Sequence, residues 1–245
     1  MTNRIGDSMD FSITPLGDAA LMIEFQATGL SDRANEFVHS AYHLLSKRSV
    51  PGMIALVPAY TTLTLHYEPS SIKSDYPYQH MKMIIQELLR KSLKTDTRHG
   101  NCFLIPVCYE PPFSLDLTEV AQVHHLTMEE VIHFHTKQIY QVSFIGFSPG
   151  FPFLSGLPKS IATPRKENPR TLVKAGSVGI AGEQTGIYPT DSPGGWQIIG
   201  QTPIRIYYPE KKEPTLFAPS DTIRFYPITA KQYYQLEESH EYNCP

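Results

Sequence analysis

Residues 143–203 concentrate the side chains that could recognise a small anion. This stretch holds five basic residues against three acidic ones, together with ten glycines and eight prolines, and it contains no histidine or cysteine. Guanidinium groups, ammonium groups and glycine amides bind anions and carbonyl oxygens. The composition predicts a binding pocket rather than a thiol nucleophile or a histidine-based zinc site in this stretch. The alternative is that the glycines and prolines only turn the corners of a sheet.

Two arginines in the string PRKENPR are the strongest candidates for anion contact. Arg165 and Arg170 each follow a proline, whose fixed φ angle limits the freedom of the loop. Arg170 also precedes a predicted strand, so we expect its backbone to be fixed and its side chain to project freely. A rigid guanidinium favours bidentate contact with a carboxylate or phosphate. The alternative is a solvated basic loop.

Trp196 is the single tryptophan and follows Gly194 and Gly195. Its ring would either form a pocket wall that stacks on a ligand or belong to the hydrophobic core. The glycines of AGSVGIAGEQTG match neither the dinucleotide-binding pattern nor the phosphate-binding loop. The chain therefore has no nucleotide-binding signature of its own.

Four histidines fall within twelve residues, at positions 124, 125, 133 and 135. His133 and His135 are two residues apart, so on a helix they point in different directions and a shared metal is not expected. His135 could donate into the barrel region or satisfy the last carbonyls of its helix. The three cysteines are well spread and predict neither a disulfide framework nor a metal site.

The elements that position these residues fall into two unequal parts. Residues 1–99 hold 5 of 21 prolines and 4 of 15 glycines, which divides the chain into 1–98 and 99–245. The first part alternates apolar runs with helical periods and predicts an α+β domain of the ferredoxin-like sandwich sort. Its predicted strands are 19–25, 53–57 and 62–67, and its predicted helices are 30–47 and 78–93.

The second part reads as two short helices followed by short strands, which predicts a mostly-β barrel or sandwich. Asp116 fits as the N-cap of a helix over 116–124, and Thr127 with Glu130 has capping-box spacing before a helix over 127–137. The predicted strands are 101–109, 140–147, 171–180, 196–199, 204–207 and 222–226.

Length and charge exclude several classes of protein. The 245 residues are 41% hydrophobic with a formal net charge of -3, which predicts an ordered domain and argues against a strongly basic nucleic-acid binder. No apolar stretch reaches the roughly 18 residues of a membrane span. The beginning, MTNRIGDSMDFS, has no apolar core of a secretory signal. We therefore expect a cytoplasmic protein with neither a nucleic-acid nor a membrane partner.

Two long strings dominate the second part of the chain: GFSPGFPFLSGLP and ATPRKENPRTLVKAGSVGIAGEQTGIYPTDSPGGWQIIGQTP. Both resemble the allophanate hydrolase subunit 1 family, which includes B subunits of bacterial 5-oxoprolinases and KipI-like kinase inhibitors. The resemblance begins at LGDAAL, passes through VPAYTT and IPVCY, and ends near residue 225, so it covers nearly the whole chain.

The resemblance implies a small α+β domain followed by a cyclophilin-like β-barrel. It implies a subunit 2-like partner of the KipA (C subunit) kind and a LamB/YcsF-like A subunit, which together look like an ATP-dependent 5-oxoprolinase that opens 5-oxo-L-proline to L-glutamate. ATP with Mg would then be bound by, or shared with, a partner subunit. The alternative function is a KipI-like regulator that binds and inhibits a sporulation histidine kinase.

Two sets of site residues follow from the residues and the resemblance together. No catalytic residue and no metal ligand is identified. The candidate substrate-binding residues are Arg165, Arg170, Lys174, Gln184, Tyr188, Gly194, Gly195 and Trp196. The candidate partner-binding residues are Phe147, Phe151 and Phe153. The chain departs from the family at Ser220, where glycine is usual, at Phe153, where tyrosine is usual, and in residues 111–115, which lack the usual glycine.

Overall fold

Residues 10–26, 32–92 and 100–239 are described by the computed structural model. The chain divides into two units, residues 1–98 and 99–245. Each unit has its own cluster of buried apolar side chains. Within the described ranges, no helix is both long and apolar enough to cross a lipid bilayer.

The first unit is a four-stranded antiparallel sheet in the order β1-β2-β4-β3, with two helices packed against it. Alternate residues of β4, Leu63, Leu65 and Tyr67, are buried under the amphipathic helices, as a half-buried strand requires. The elements are β1 (Phe11–Pro15), β2 (Ala20–Phe25), α1 (Asp32–Ser46), β3 (Met53–Pro58), β4 (Thr62–Tyr67) and α2 (Pro77–Ser92).

The order of elements differs from the ferredoxin-like prediction at one edge of this sheet. That arrangement places its last strand after the second helix. Here β1, which the sequence patterns did not indicate, lies before β2 and pairs with it at this edge. Residues 30, 31 and 93, at the ends of the two predicted helices, lie outside the described residues.

The second unit contains a closed barrel of seven strands in the order β10-β7-β6-β13-β5-β12-β9. A barrel-containing α+β fold is thereby confirmed, while the cyclophilin-like type of barrel stays a prediction. The barrel strands are β5 (Cys102–Cys108), β6 (Tyr140–Ile145), β7 (Pro152–Ser155), β9 (Ser177–Ala181), β10 (Gln184–Ile187), β12 (Gln197–Gln201) and β13 (Thr222–Ile228).

Outside the barrel, two short strands form a separate ribbon and three helices pack on the unit. The α4 capping box is confirmed, because Thr127 Oγ1 accepts from Glu130 N and Glu130 Oε2 accepts from Thr127 N. The ribbon is β8 (Arg170–Val173) with β11 (Ser192–Gly194), and the helices are α3 (Leu117–Val123), α4 (Met128–Lys137) and α5 (Ala230–Ser239).

Two predicted strands are wrong in this unit. The strand over 171–180 is broken by a turn at Gly176, which has a φ of 81°, and a Cβ there would lie 2.3 Å from the Thr202 carbonyl oxygen. Residues 204–207 form no strand, because Tyr207 makes only an isolated bridge with Thr215. The patterns also missed β7, β10, β11 and α5.

Candidate functional site

The loop over residues 164–170 packs against residues 194–197 and brings most of the candidate residues together. Lys166 N donates to the Gly195 carbonyl at 2.7 Å, and Arg170 pairs with Gly194 between β8 and β11. A Cβ on Gly194 would lie 2.3 Å from the Tyr188 hydroxyl. Glycine at this position therefore lets the strand approach the tyrosine closely.

An ion-pair network centres on Asp116, whose side chain is 3% exposed. Arg170 contacts both carboxylate oxygens, with Nη1 2.8 Å from Oδ2. Lys166 Nζ lies 3.1 Å from Asp116 Oδ1 and 2.9 Å from Glu119 Oε2. The N–H of Ile198 donates to Asp116 Oδ2 at 2.7 Å, and the N–H of Asp116 donates to the Ile198 carbonyl. The network thus ties the start of α3 to β8 and β12.

Opposite effects set the charge of this network. Burial by itself raises the pKa of Asp116, but hydrogen bonds from Arg170, Ile198 N–H and Lys166 outweigh it and hold that pKa below its ordinary value. The pKa of Lys166 is raised, chiefly by its hydrogen bond to Glu119. Burial opposes this rise, and the hydrogen bond to Asp116 and the charges of both carboxylates add to it. Asp116 is therefore ionised and Lys166 is charged at neutral pH.

The expectation of a freely projecting Arg170 is wrong. Its side chain is 25% exposed, and its guanidinium makes a bidentate ion pair within the chain. The backbone is fixed as expected, because Arg170 opens β8. The Asp116 carboxylate, 54 residues earlier in the chain, accepts both of the contacts that the Arg170 guanidinium was expected to make to a ligand.

Arg165 differs from its two neighbours. Its guanidinium carbon lies 5.9 Å from the centre of the Trp196 ring, a cation–π contact. Beyond that ring contact, it makes no ion pair or hydrogen bond within the part of the chain that the structure describes. Arg165 is exposed, so its guanidinium is available to an incoming anion.

Aromatic rings form the apolar floor beneath Arg165. Phe151 packs edge-on against Trp196 and Tyr188, with ring centres 5.2 Å apart in both cases, and Phe153 packs edge-on against Trp196 at 5.7 Å. Trp196 is 5% exposed, so it belongs to the core and also lies under Arg165. Burial raises the pKa of the Tyr188 hydroxyl. A hydrogen bond from the backbone N–H of Trp196 and the charges of Arg165 and Arg170 counteract part of that rise. We call Arg165 with this floor the Arg165 pocket.

The three candidate partner-binding phenylalanines differ in exposure. Phe147 is 68% exposed and has a φ of 64°, a backbone conformation that is uncommon for a bulky residue. Phe151 is 1% exposed, and Phe153 is half-buried with its ring stacked on Phe144 at 4.3 Å. Phe147 is therefore the ring of the three that is presented to solvent, and Phe151 supports it from below at 5.6 Å.

Two candidate substrate-binding residues have partners other than Arg165 and Trp196 among the described residues. Lys174 Nζ forms an exposed ion pair with Asp191 at 2.8 Å, beyond the end of β8. Gln184 begins β10 and pairs with Ala181. No contact within the described ranges joins either side chain to Arg165 or Trp196.

His135 donates into the barrel, which resolves the two alternatives for this residue. The Thr185 hydroxyl donates to the Gly179 carbonyl at 2.9 Å, so it accepts from His135 Nε2 at 3.1 Å. Nδ1 then accepts from the Tyr109 hydroxyl at 2.8 Å. Burial lowers the pKa of His135 to about 3, so the ring is neutral.

Sequence reasoning missed Asp116 as a member of the site. It was predicted only as an N-cap, and it does occupy that position, but its carboxylate makes no capping hydrogen bond. Glu119 and Gln197 were also missed, and both contact Lys166. Within the described ranges, no three His, Cys, Asp or Glu side chains are grouped as metal ligands would be.

Comparisons with known proteins agree on the family. Residues 11–217 match the family described as carboxyltransferase domain, subdomain C and D. The 5-oxoprolinase B subunit of Bacillus subtilis (strain 168) is 41% identical over 236 residues, which cover 93% of this chain and 97% of that protein. The protein of the same name from Escherichia coli O157:H7 is 34% identical, over 86% of this chain and 94% of its own length.

A solved structure supports the same grouping. The crystal structure of TTHA0988 superposes with a TM-score of 0.73 and 34% identity over 86% of this chain. The present chain spans 40% of that longer protein. With the sequence relatives, this shows that the chain belongs to the family of 5-oxoprolinase B subunits and carries the carboxyltransferase domain, subdomain C and D.

Proposed function

We propose that the chain is the B subunit of an ATP-dependent 5-oxoprolinase complex that converts 5-oxo-L-proline to L-glutamate. The observation that carries this proposal is an uncommitted guanidinium, Arg165, held over an aromatic floor. The substrate is a small ring that bears a carboxylate. A cation above apolar rings matches both features. The names of the sequence relatives supply the reaction.

Within this proposal the eight candidate substrate-binding residues have different roles. Arg165 contacts the carboxylate of the substrate or the phosphate of an activated intermediate, and Trp196 and Tyr188 form the wall of its pocket. Gly194 lets the strand approach Tyr188 in that wall, and the Gly195 carbonyl holds the loop by accepting from Lys166 N. Arg170 holds the loop through Asp116 rather than contacting the ligand. Lys174 and Gln184 would act at the rim, where the described contacts place neither of them beside Arg165.

The nucleotide and the other subunits belong to the same proposal. The substrate amide is unreactive, so ATP would phosphorylate its carbonyl before hydrolysis. The sequence contains no phosphate-binding loop, so we assign ATP with Mg to a site on, or shared with, a KipA-like C subunit or a LamB/YcsF-like A subunit. Phe147 would contact a partner, since a bulky apolar ring that is 68% exposed suits a protein interface.

A kinase inhibitor is the alternative for the same Phe147 surface. The relatives with 34% to 41% identity over most of the chain carry the enzyme name, which favours the enzyme. Expression of the chain alone and with A and C subunits tests the choice. We expect ATP-dependent glutamate release from the three-protein mixture and none from the isolated chain. Release by the isolated chain, or no release by a mixture whose subunits co-elute, would contradict the proposal.

Partner contact by Phe147 has its own test. We expect Phe147→Ser to weaken co-elution with the C subunit in size-exclusion chromatography. The control is Ile54→Ser, which alters a similarly exposed apolar side chain, 66% exposed, in the other unit. Equal co-elution of the Phe147 variant and the wild type would remove Phe147 from the interface.

A further inference from the structure

A cavity of about 500 Å³ lies in the barrel unit, and its lining shares no residue with the Arg165 pocket. The end of β5, α3, the first turns of α4 and α5, and the end of β13 surround it. None of the residues that line it belongs to the Asp116 network or to the aromatic floor. Its volume is within the range of small-molecule sites.

The floor of this cavity is apolar and fixed. Tyr109 and Leu117 are buried, and Ile132 and Ile228 are partly buried beside them. The Tyr109 hydroxyl is committed to His135 Nδ1, so the tyrosine offers its ring rather than its oxygen to the cavity. A preformed apolar floor favours a ligand with an apolar body.

The walls carry negative charge without any compensating cation. Glu110 and Glu129 line the cavity, and its lining contains no Lys, Arg or His. One oxygen of Glu110 accepts from the N–H of Ala230 at 3.1 Å, which holds that carboxylate in place. The Glu129 carboxylate and the Ser114 hydroxyl make no hydrogen bond within the ranges that the structure describes.

This charge opposes a carboxylate or phosphate ligand. This repulsion of anions distinguishes the cavity from the Arg165 pocket, where a guanidinium attracts them. A primary ammonium, by contrast, has three N–H donors for two carboxylates and a hydroxyl. The chemistry of the cavity and the chemistry of the Arg165 pocket are therefore opposite.

We propose that this cavity binds a small organic cation, namely a primary ammonium group carried on an apolar body. Glu110, Glu129 and Ser114 receive the ammonium, and the rings and aliphatic groups of Tyr109, Leu117 and Ile132 contact the body. This site is independent of the 5-oxoprolinase function, because it uses none of the residues assigned to that reaction.

Three probes of nearly equal shape test the proposal on the full chain. Benzylamine, benzyl alcohol and benzoate are titrated separately, and binding is followed by amide chemical shifts in NMR spectra. We expect saturable shifts with benzylamine at residues of the cavity, at least several-fold weaker binding of benzyl alcohol, and no saturable shifts there with benzoate. Absence of saturable shifts with benzylamine, or equal affinity for benzyl alcohol, would overturn the proposal.

Charge-neutral variants complete the test. Glu110→Gln and Glu129→Gln are each expected to weaken benzylamine binding about two- to five-fold, the range typical of an exposed ion pair. Neither variant should change the affinity for benzyl alcohol. Glu213→Gln is the control, because Glu213 is exposed in the same unit and does not line the cavity. Unchanged benzylamine affinity in the double variant would contradict the role of the two carboxylates.

Discussion

Two aspartates of the barrel unit are almost equally buried, yet their surroundings are opposite. Asp116 is 3% exposed and Asp221 is 4% exposed. Asp116 contacts two cations and one N–H, whereas among the described residues Asp221 accepts from the N–H groups of Asn101 and Ala218. Burial raises the pKa of Asp221 in spite of those two hydrogen bonds, while the cations hold the pKa of Asp116 below its ordinary value.

The difference shows what Lys166 and Arg170 do in this fold. Burial disfavours the ionised form of both carboxylates, and the cations beside Asp116 outweigh that effect, whereas the two N–H groups beside Asp221 do not. Lys166 and Arg170, two of the three cations in PRKENPR, are therefore paired with Asp116 and are not available to a ligand. Arg165 makes no such ion pair among the described residues, and we propose that Arg170 stabilises the fold while Arg165 binds the anion.

Removal of Asp116 should have the largest effect on stability. Asp116→Ala leaves the Arg170 guanidinium and the Ile198 N–H without their acceptor and Lys166 with Glu119 as its remaining carboxylate, and we expect a loss of about 3–5 kcal/mol in the free energy of unfolding. Urea denaturation at neutral pH measures it. The control is Asp191→Ala, which breaks the exposed pair with Lys174 and should cost less than about 1 kcal/mol. Equal losses in both variants would contradict the account.

Truncation of Arg170 should have the second-largest effect on the free energy of unfolding. Arg170→Ala leaves Asp116 with Lys166 and one N–H, and we expect a loss of about 2–3 kcal/mol. Arg170→Lys should recover only part of it, because an ammonium cannot form the planar two-pronged contact. Arg165→Ala, at an exposed position, should change stability by less than about 0.5 kcal/mol. A stable Arg170→Ala protein would mean that the ion pair contributes little to the fold.

His135 is a third buried polar residue of this unit, and its imidazole ring is neutral rather than charged. Its pKa is about 3 in the folded chain, whereas an unfolded histidine titrates near 6.5. As the pH falls, the unfolded state therefore binds the proton first. The stability that the neutral His135 ring contributes is fully present above pH 6.5 and is lost as the pH falls towards 3. Between pH 7 and pH 5 this amounts to about 2 kcal/mol.

A variant isolates the histidine from the other acid-sensitive groups. His135→Gln cannot take up that proton, so its stability should fall less than that of the wild type between pH 7 and pH 5. Urea denaturation at the two pH values gives the difference. Parallel losses in both proteins would assign the acid sensitivity to other groups.

The smallest effect should come from the turn beside Asp221. Ser220 has a φ of 77°, in the region that favours glycine. We expect Ser220→Gly to raise stability by about 0.5–1 kcal/mol, because relief of the strained backbone exceeds the entropy that glycine adds to the unfolded chain. Thermal unfolding measures the gain. Ser220→Ala keeps the strain and should show no gain.

Local features of the fold were predictable from the sequence. The Thr127 capping box depends on residues three positions apart, and the amphipathic helices depend on a repeat of buried residues. Helix α5 was missed although Thr229 and Gln232 have the same spacing and make reciprocal hydrogen bonds at its start. That signal was present in the sequence and could have been used.

The site was less predictable because its decisive contacts are distant in the chain. The string PRKENPR shows three cations but not which of them meet a carboxylate. Asp116 lies 54 residues before Arg170, and its position as an N-cap explained it locally. Only the pairing of β8 with β11 and the packing of α3 against β12 bring the two together.

The roles of Arg165 and Arg170 are tested by the Michaelis constant of the reconstituted complex for 5-oxo-L-proline. It is measured with Arg165→Ala in place of the wild-type chain. We expect it to rise at least about ten-fold, since a lost charge-assisted contact is worth roughly 1.5–3 kcal/mol. The melting temperature of the variant chain should stay unchanged. An unchanged Michaelis constant in a correctly assembled complex would show that Arg165 does not bind the substrate, and would contradict the division of roles between the two arginines.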